Sequence, residues 1–251
     1  MLSIDSSAER VSRLSSRRSR LGESRDRAAL LFGVGALASA AFGGLAVASA
    51  RRATVAADNR LHGEMRKGMK RPARDKAKAV SPGVEQAGKW WVYGPVAVVA
   101  AVAVLAAPGR TTRSKRGRRA GAAALAVVPA LATVISPAFD RWLPQPRVGK
   151  RKRPVDHPVF PSGHAFRASA VTLTTAYVVA REGIARPGIV WPLAGVAPVA
   201  AGLGRLLREK HLASDVVGGL IAGTALAAGV AGAYELARAP RRGPAILRRL
   251  G

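Results

Sequence analysis

Ala28 to Ala50 reads AALLFGVGALASAAFGGLAVASA, 23 consecutive residues without a charge, set between Arg25 and Arg27 on one side and Arg51 and Arg52 on the other. At about 1.5 Å rise per residue, a helix of that length crosses the roughly 30 Å of hydrocarbon in a bilayer. A cleaved secretory signal is the competing explanation, because Ala48-Ser49-Ala50 has the small residues of a cleavage site. Length argues against it, since the apolar region of a signal runs to only about 7 to 15 residues.

Five more apolar stretches follow: Trp90 to Ala107, Ala120 to Phe139, Ala165 to Ala180, Ile189 to Leu203 and Val216 to Ala237. They are built of Ala, Val, Leu and Gly and lack the alternation of a half-buried strand. The 41 Lys and Arg, which give a net charge of +27, collect between the stretches. A bilayer demands that segregation. The expected fold is therefore all-α, a six-span transmembrane helical bundle over residues 28–237. Two of the stretches, 165–180 and 189–203, are short for a crossing and need flanking residues to complete it. Cytoplasmic basic tails without apolar periodicity, 1–27 and 238–251, flank the bundle.

The segment between the first and second spans, 51–89, holds 11 Lys and Arg against four acids. It suits either a short helix lying at the headgroup interface or a solvated loop. Trp90, Trp91 and Tyr93 follow it where an aromatic belt belongs. With the N-terminus inside, Lys and Arg number 20 on each side of the membrane. Nine of the outer ones surround a candidate anion site that needs them in any orientation. Setting those aside leaves 20 inside against 11 outside, and the positive-inside rule then puts the N-terminus in the cytoplasm. The site faces out from a plasma membrane expected to be bacterial.

The chain has no cysteine, so neither disulfides nor thiolate-bound metal enters the account. Four histidines remain. His62 lies in the basic segment, and His157, before Pro158, reads as a solvated loop residue. The other two sit in chemically loaded settings: Pro161-Ser162-Gly163-His164 at the start of the fourth span, and Arg205, His211 and Asp215 at the start of the sixth. Alternating spans bring both to one membrane face. A helix N-terminus offers unpaired N–H groups and a positive dipole, so Ser162, Gly163 and His164 suit an anion cradle. Each piece alone has a plain explanation: a His–Asp pair four apart is worth a few tenths of a kcal/mol on a helix surface, and Pro-Ser-Gly-His can be a helix cap. Together, amid basic residues on one face, they favour phosphate chemistry.

These motifs resemble the type 2 phosphatidic acid phosphatase superfamily, in its membrane lipid phosphatase branch. That pattern is a Lys, six residues, Arg-Pro; then Pro-Ser-Gly-His; then Ser-Arg, five residues, His, three residues, Asp. The second signature is intact at Pro161 to His164. The third is intact at Arg205, His211 and Asp215, with Gly204 in place of serine. The first keeps Arg153-Pro154 but has Pro146 where lysine is expected, with Arg147, Lys150, Arg151 and Lys152 nearby to supply the charge.

The resemblance implies a phosphatase that needs no metal or other cofactor and acts on a lipid phosphate. His211 would attack phosphorus, Asp215 would fix its tautomer, and His164 would protonate the leaving oxygen. Arg153, Ser162, Gly163 and Arg205, with Lys150 or Lys152, would bind the phosphate oxygens. Arg167 suits either that phosphate or the headgroups. The lost lysine motivates an alternative, a catalytically weak protein that binds phosphorylated lipids or tethers partners. A nucleic-acid partner is not expected, because the basic runs flank spans and lack aromatics for base stacking.

Overall fold

The computed structural model describes residues 5–68, 71–107, 115–143, 160–208 and 210–239. Every regular element among them is helical: α1 (Asp5–Ala50), α2 (Val55–Gly68), α3 (Arg71–Glu85), a 3₁₀ turn (Gln86–Gly88), α4 (Trp90–Ala106), α5 (Lys115–Trp142), α6 (Gly163–Arg181), α7 (Pro187–Leu207) and α8 (Ala213–Arg238).

Each apolar stretch lies on a helix, and most of those helices run past it into charged flanks. Hydropathy marks only where hydrocarbon would lie, whereas the backbone ladder continues until a breaker stops it. The leader, read as a basic tail without apolar periodicity, is helical from Asp5 as the start of α1. No Gly or Pro interrupts it before Gly22, so the helix of the apolar stretch propagates back through Arg, Glu and Leu. The basic segment forms two helices, α2 and α3, which pack against α8 and α7 respectively.

Four helices are long and apolar enough to cross a membrane: Gly22–Ala50 within α1, α5, α7 and α8. The remaining two predicted spans fall short of that standard. α4 has 17 residues, and α6, although 19 residues long, is less apolar. The composition of α6 follows from its place. It packs against α4, α5, α7 and α8, so Ser169, Thr172 and Thr174 donate to the backbone carbonyls of Leu220, Ala168 and Ala170 instead of facing lipid. The outer faces of α4 and α7 expose Val98, Val99, Val102, Leu193, Val196 and Val199, the surface a lipid-bathed helix presents.

α6 and α8 form the centre. Their backbones approach at Gly219 and Gly223, where an added Cβ would fall 2.5 Å from the carbonyl oxygens of Ser162 and Phe166 respectively. Only glycine permits that approach, the small-xxx-small device of tightly crossed membrane helices. Around the crossing, Leu125, Val128, Phe166, Val171 and Val178 are fully buried.

A polar clasp closes the end of the bundle where α6 and α8 terminate. Buried Glu235 accepts from Arg181 Nε at 2.7 Å and from the Tyr177 hydroxyl at 2.9 Å. Tyr234 donates to Glu182, and Arg238 lies 3.5 Å from both carboxylates. Arg181 also reaches Glu23 of α1 at 3.4 Å. At the opposite end, Phe42 of α1 stacks on Phe160 and tilts against Phe139.

Candidate functional site

The site is assembled from two helix starts. Ser162, the residue before α6, donates its N–H to the carbonyl of Asp215 at 2.8 Å. This bond joins Pro161 to His164 directly to the first turn of α8. Ser162 is fully buried, and Asp215 is too. Gly163 is needed here for space: a Cβ would fall 2.6 Å from Ser136 Oγ of α5 and 3.4 Å from Arg167 Nη2. Across the site the 3₁₀ turn presses on His164, where a Cβ on Gly88 would fall 2.7 Å from the His164 Cβ.

His211 is held between opposite charges. Its Nδ1 lies 3.5 Å from Asp215 Oδ2, and its Nε2 lies 3.5 Å from Arg205 Nη2 at the end of α7. The first distance is a close charge contact longer than a hydrogen bond. The shorter partner of Asp215 Oδ2 is the Leu212 N–H at 2.9 Å. Asp215 therefore caps α8 and lies beside the imidazole, whose Nδ1 makes no hydrogen bond among the described residues.

Several polar groups at this end are buried with no hydrogen-bond partner among the described residues: Ser162 Oγ, His164 Nε2, Arg167 Nε and Asp215 Oδ1. Buried donors are rarely left unpaired in native proteins, and their convergence marks a place where a polar ligand would be satisfied. His164, just ahead of the apolar stretch 165–180, is pulled down to about 3 by burial first and then by Arg205, Arg167, His211 and Lys89. Its imidazole is neutral near pH 7 unless an anion balances those cations.

The structure thus brings Ser162, Gly163, His164, Arg205, His211 and Asp215 to one end of the bundle. Arg153, Lys150 and Lys152, along with Pro146, Arg147, Arg151 and His157, lie outside the described residues. Arg167 turns its guanidinium over Gly163 and toward the site. Sequence reasoning missed Ser136, Lys89 and Asp58. Asp58, of α2, is buried and accepts from both the N–H and the hydroxyl of Ser214, at 2.9 and 2.8 Å. No spacing rule links it to residue 214. Among the described residues, no group of three or more His, Asp or Glu side chains is placed to hold a metal ion.

With a Pro-Ser-Gly-His helix start joined to a His-x-x-x-Asp helix start, residues 120–238 of the chain match the model of the PAP2 superfamily. Among solved structures, the chain is similar to the crystal structure of the first transmembrane PAP2 type phosphatidylglycerolphosphate phosphatase from Bacillus subtilis, with a TM-score of 0.58. The match covers 76% of this chain and 91% of that one at 21% identity, and the likeness is one of fold. No curated protein matches the chain. Apolar helices and a PAP2 fold make this an integral membrane protein.

Proposed function

We propose that the protein is a membrane phosphatase that hydrolyses a phosphate or diphosphate monoester of a lipid through a phosphohistidine, at the outer end of a six-span bundle. The observation that carries this is the pairing of the two helix starts through the Ser162–Asp215 bond, with Arg205 and Asp215 flanking His211.

In this mechanism His211 Nε2 attacks phosphorus while Asp215 keeps the proton on Nδ1. The ester P–O bond breaks, and protonated His164 delivers its proton to the departing oxygen. Water then attacks phosphorus, the P–N bond breaks, and neutral His164 takes the water's proton. Inorganic phosphate leaves, and both histidines return to their starting states. An anion held among Arg205, Arg167 and Lys89 offsets the cations that depress His164, so substrate itself raises the acid toward a protonated form. Arg205, Arg153, Ser162 Oγ and the Gly163 N–H stabilise the three equatorial oxygens. Arg167, with Lys150 or Lys152, supplies charge where Pro146 replaces lysine. No step calls for a metal or cofactor.

The substrate class follows from the setting. A phosphate gripped at the mouth of apolar helices leaves its ester group in hydrocarbon, which suits phosphatidylglycerol phosphate, phosphatidic acid or a polyprenyl diphosphate. Six crossings require α4 and α6 to span as well. α6 does so as an enclosed helix, α2 and α3 lie at the interface, and residues 1–27 and 238–251 remain in the cytoplasm.

Purified protein should release inorganic phosphate from such lipids in the presence of chelator, and His211→Ala should abolish release. Unchanged release in that variant overturns the mechanism. Tight lipid binding with no turnover across pH and lipid classes would favour the alternative of a lipid-phosphate binder, which the loss of lysine at position 146 motivates.

A further inference from the structure

We infer that Asp58 is a positioning residue for the histidine pair: from α2, outside the residues that match the family model, it holds the first turn of α8 so that Asp215 is free to orient His211. The inference rests on the proposed phosphatase chemistry.

The reasoning begins with the start of α8. The first N–H groups of a helix have no partner within it, and the residue before the helix usually supplies a side-chain oxygen to one of them. Here that residue is Leu212, which has none to offer. The acid in the first turn of α8 is Asp215. It already takes the Leu212 N–H at 2.9 Å and lies 3.5 Å from His211 Nδ1. A further demand from Ser214 would draw on the carboxylate's unpartnered Oδ1 and turn it away from the imidazole.

Asp58 removes that demand. One of its oxygens accepts from Ser214 N–H at 2.9 Å and the other from Ser214 Oγ at 2.8 Å. Asp58 is only 4% exposed and Ser214 8%, so both bonds form where an unmade one is costly. The negative charge also faces the positive end of the α8 dipole. Two carboxylates thus divide one helix start: Asp58 fixes the backbone, and Asp215 serves the imidazole. The arrangement gives the segment between the first two apolar helices a task, because it delivers Asp58 across 156 residues of sequence.

The test uses the full-length protein in detergent, with the wild type and His211→Ala run alongside. Asp58→Ala should lower kcat roughly 10- to 100-fold, since a small misplacement of reacting groups costs about that much. KM should stay within about twofold, because no substrate contact is removed. Asp58→Asn, which still accepts the Ser214 N–H, should recover most of the rate. The Asp58→Ala and Ser214→Ala losses should be non-additive, as expected for partners in one contact.

A second measurement does not depend on turnover. In ¹⁵N-histidine-labelled protein, Asp58→Ala should shift the His211 ring resonances away from the Nδ1–H tautomer. If Asp58→Ala lowers the melting temperature while kcat and the His211 spectrum stay at wild-type values, the inference is overturned. A wild type that releases no phosphate overturns the proposed function instead, and the His211 spectrum of Asp58→Ala then decides the role of Asp58.

Discussion

Gly163 shows how tightly single atoms are set at this site. A methyl group there meets Ser136 Oγ at 2.6 Å, a distance real side chains do not tolerate. Gly163→Ala should cut phosphate release by about 100-fold through displacement of His164. Adding Ser136→Ala, which deletes the obstructing oxygen, should restore part of it. Arg167 permits a test with a defined sign. Its guanidinium is one of the charges that pull His164 down. Removing it raises the His164 pKa, so the limb of the kcat/KM profile governed by loss of the acid's proton should move to higher pH in Arg167→Gln. A limb that stays in place or moves to lower pH would detach His164 from that role. Of this residue-level detail, the imidazoles, Arg205 and Asp215 were legible, because their spacing has a chemical reason within each helix start. Ser136 and Asp58 were not. They act through contacts between distant segments, and a lone serine or aspartate carries no periodic signal.

Among the helices, the contact between α6 and α8 decides whether the histidine segments meet. Gly219→Leu or Gly223→Leu forces a side chain against the backbone of Ser162 or Phe166. Either should abolish activity by parting the two helices. Gly229→Ala on the same helix is the control. No atom lies within 4 Å of its added Cβ, so it should keep full activity and gain up to about 1 kcal/mol from a better helix former. Phosphate release and melting temperature in detergent check all three. The helices themselves were readable from runs of uncharged residues, and their ends were less so. α1 continues through a polar leader because helix propagation needs no apolar side chains, only the absence of a breaker. For α2 and α3 the basic segment left a short interfacial helix and a solvated loop equally open. These helices pack against α8 and α7 while Leu61 and Val80 stay exposed, and such tertiary support leaves little trace in hydropathy.

The whole molecule has a reactive end and a clasped end. The clasp surrounds Glu235, which is fully buried, and truncating one member of a buried ion pair costs about 3 to 5 kcal/mol. Glu235→Ala should lower the melting temperature sharply while leaving the KM of the folded fraction unchanged, since no clasp residue touches the site. The proposed orientation can be checked with the same protein. The chain has no cysteine, so a single introduced one is a unique label. Trp142→Cys, at the reactive end, should react with an impermeant maleimide added to intact cells, and Lys115→Cys at the other end should not. The reverse pattern would invert the topology.

The clasp also governs how the reactive end can move. The two helices bearing the histidines are tied together at their far ends by Glu235 and Arg181, about 25 Å along α6 from His164. They are locked again beside the site, where Gly219 and Gly223 meet the backbone of Ser162 and Phe166 and leave no slack. A pair fastened at two points along its length cannot open like scissors. Any breathing that admits the proposed substrate then falls to the α7 side, whose last turn carries Arg205. The guanidinium would then be the travelling jaw of the vice, and the imidazoles its fixed one.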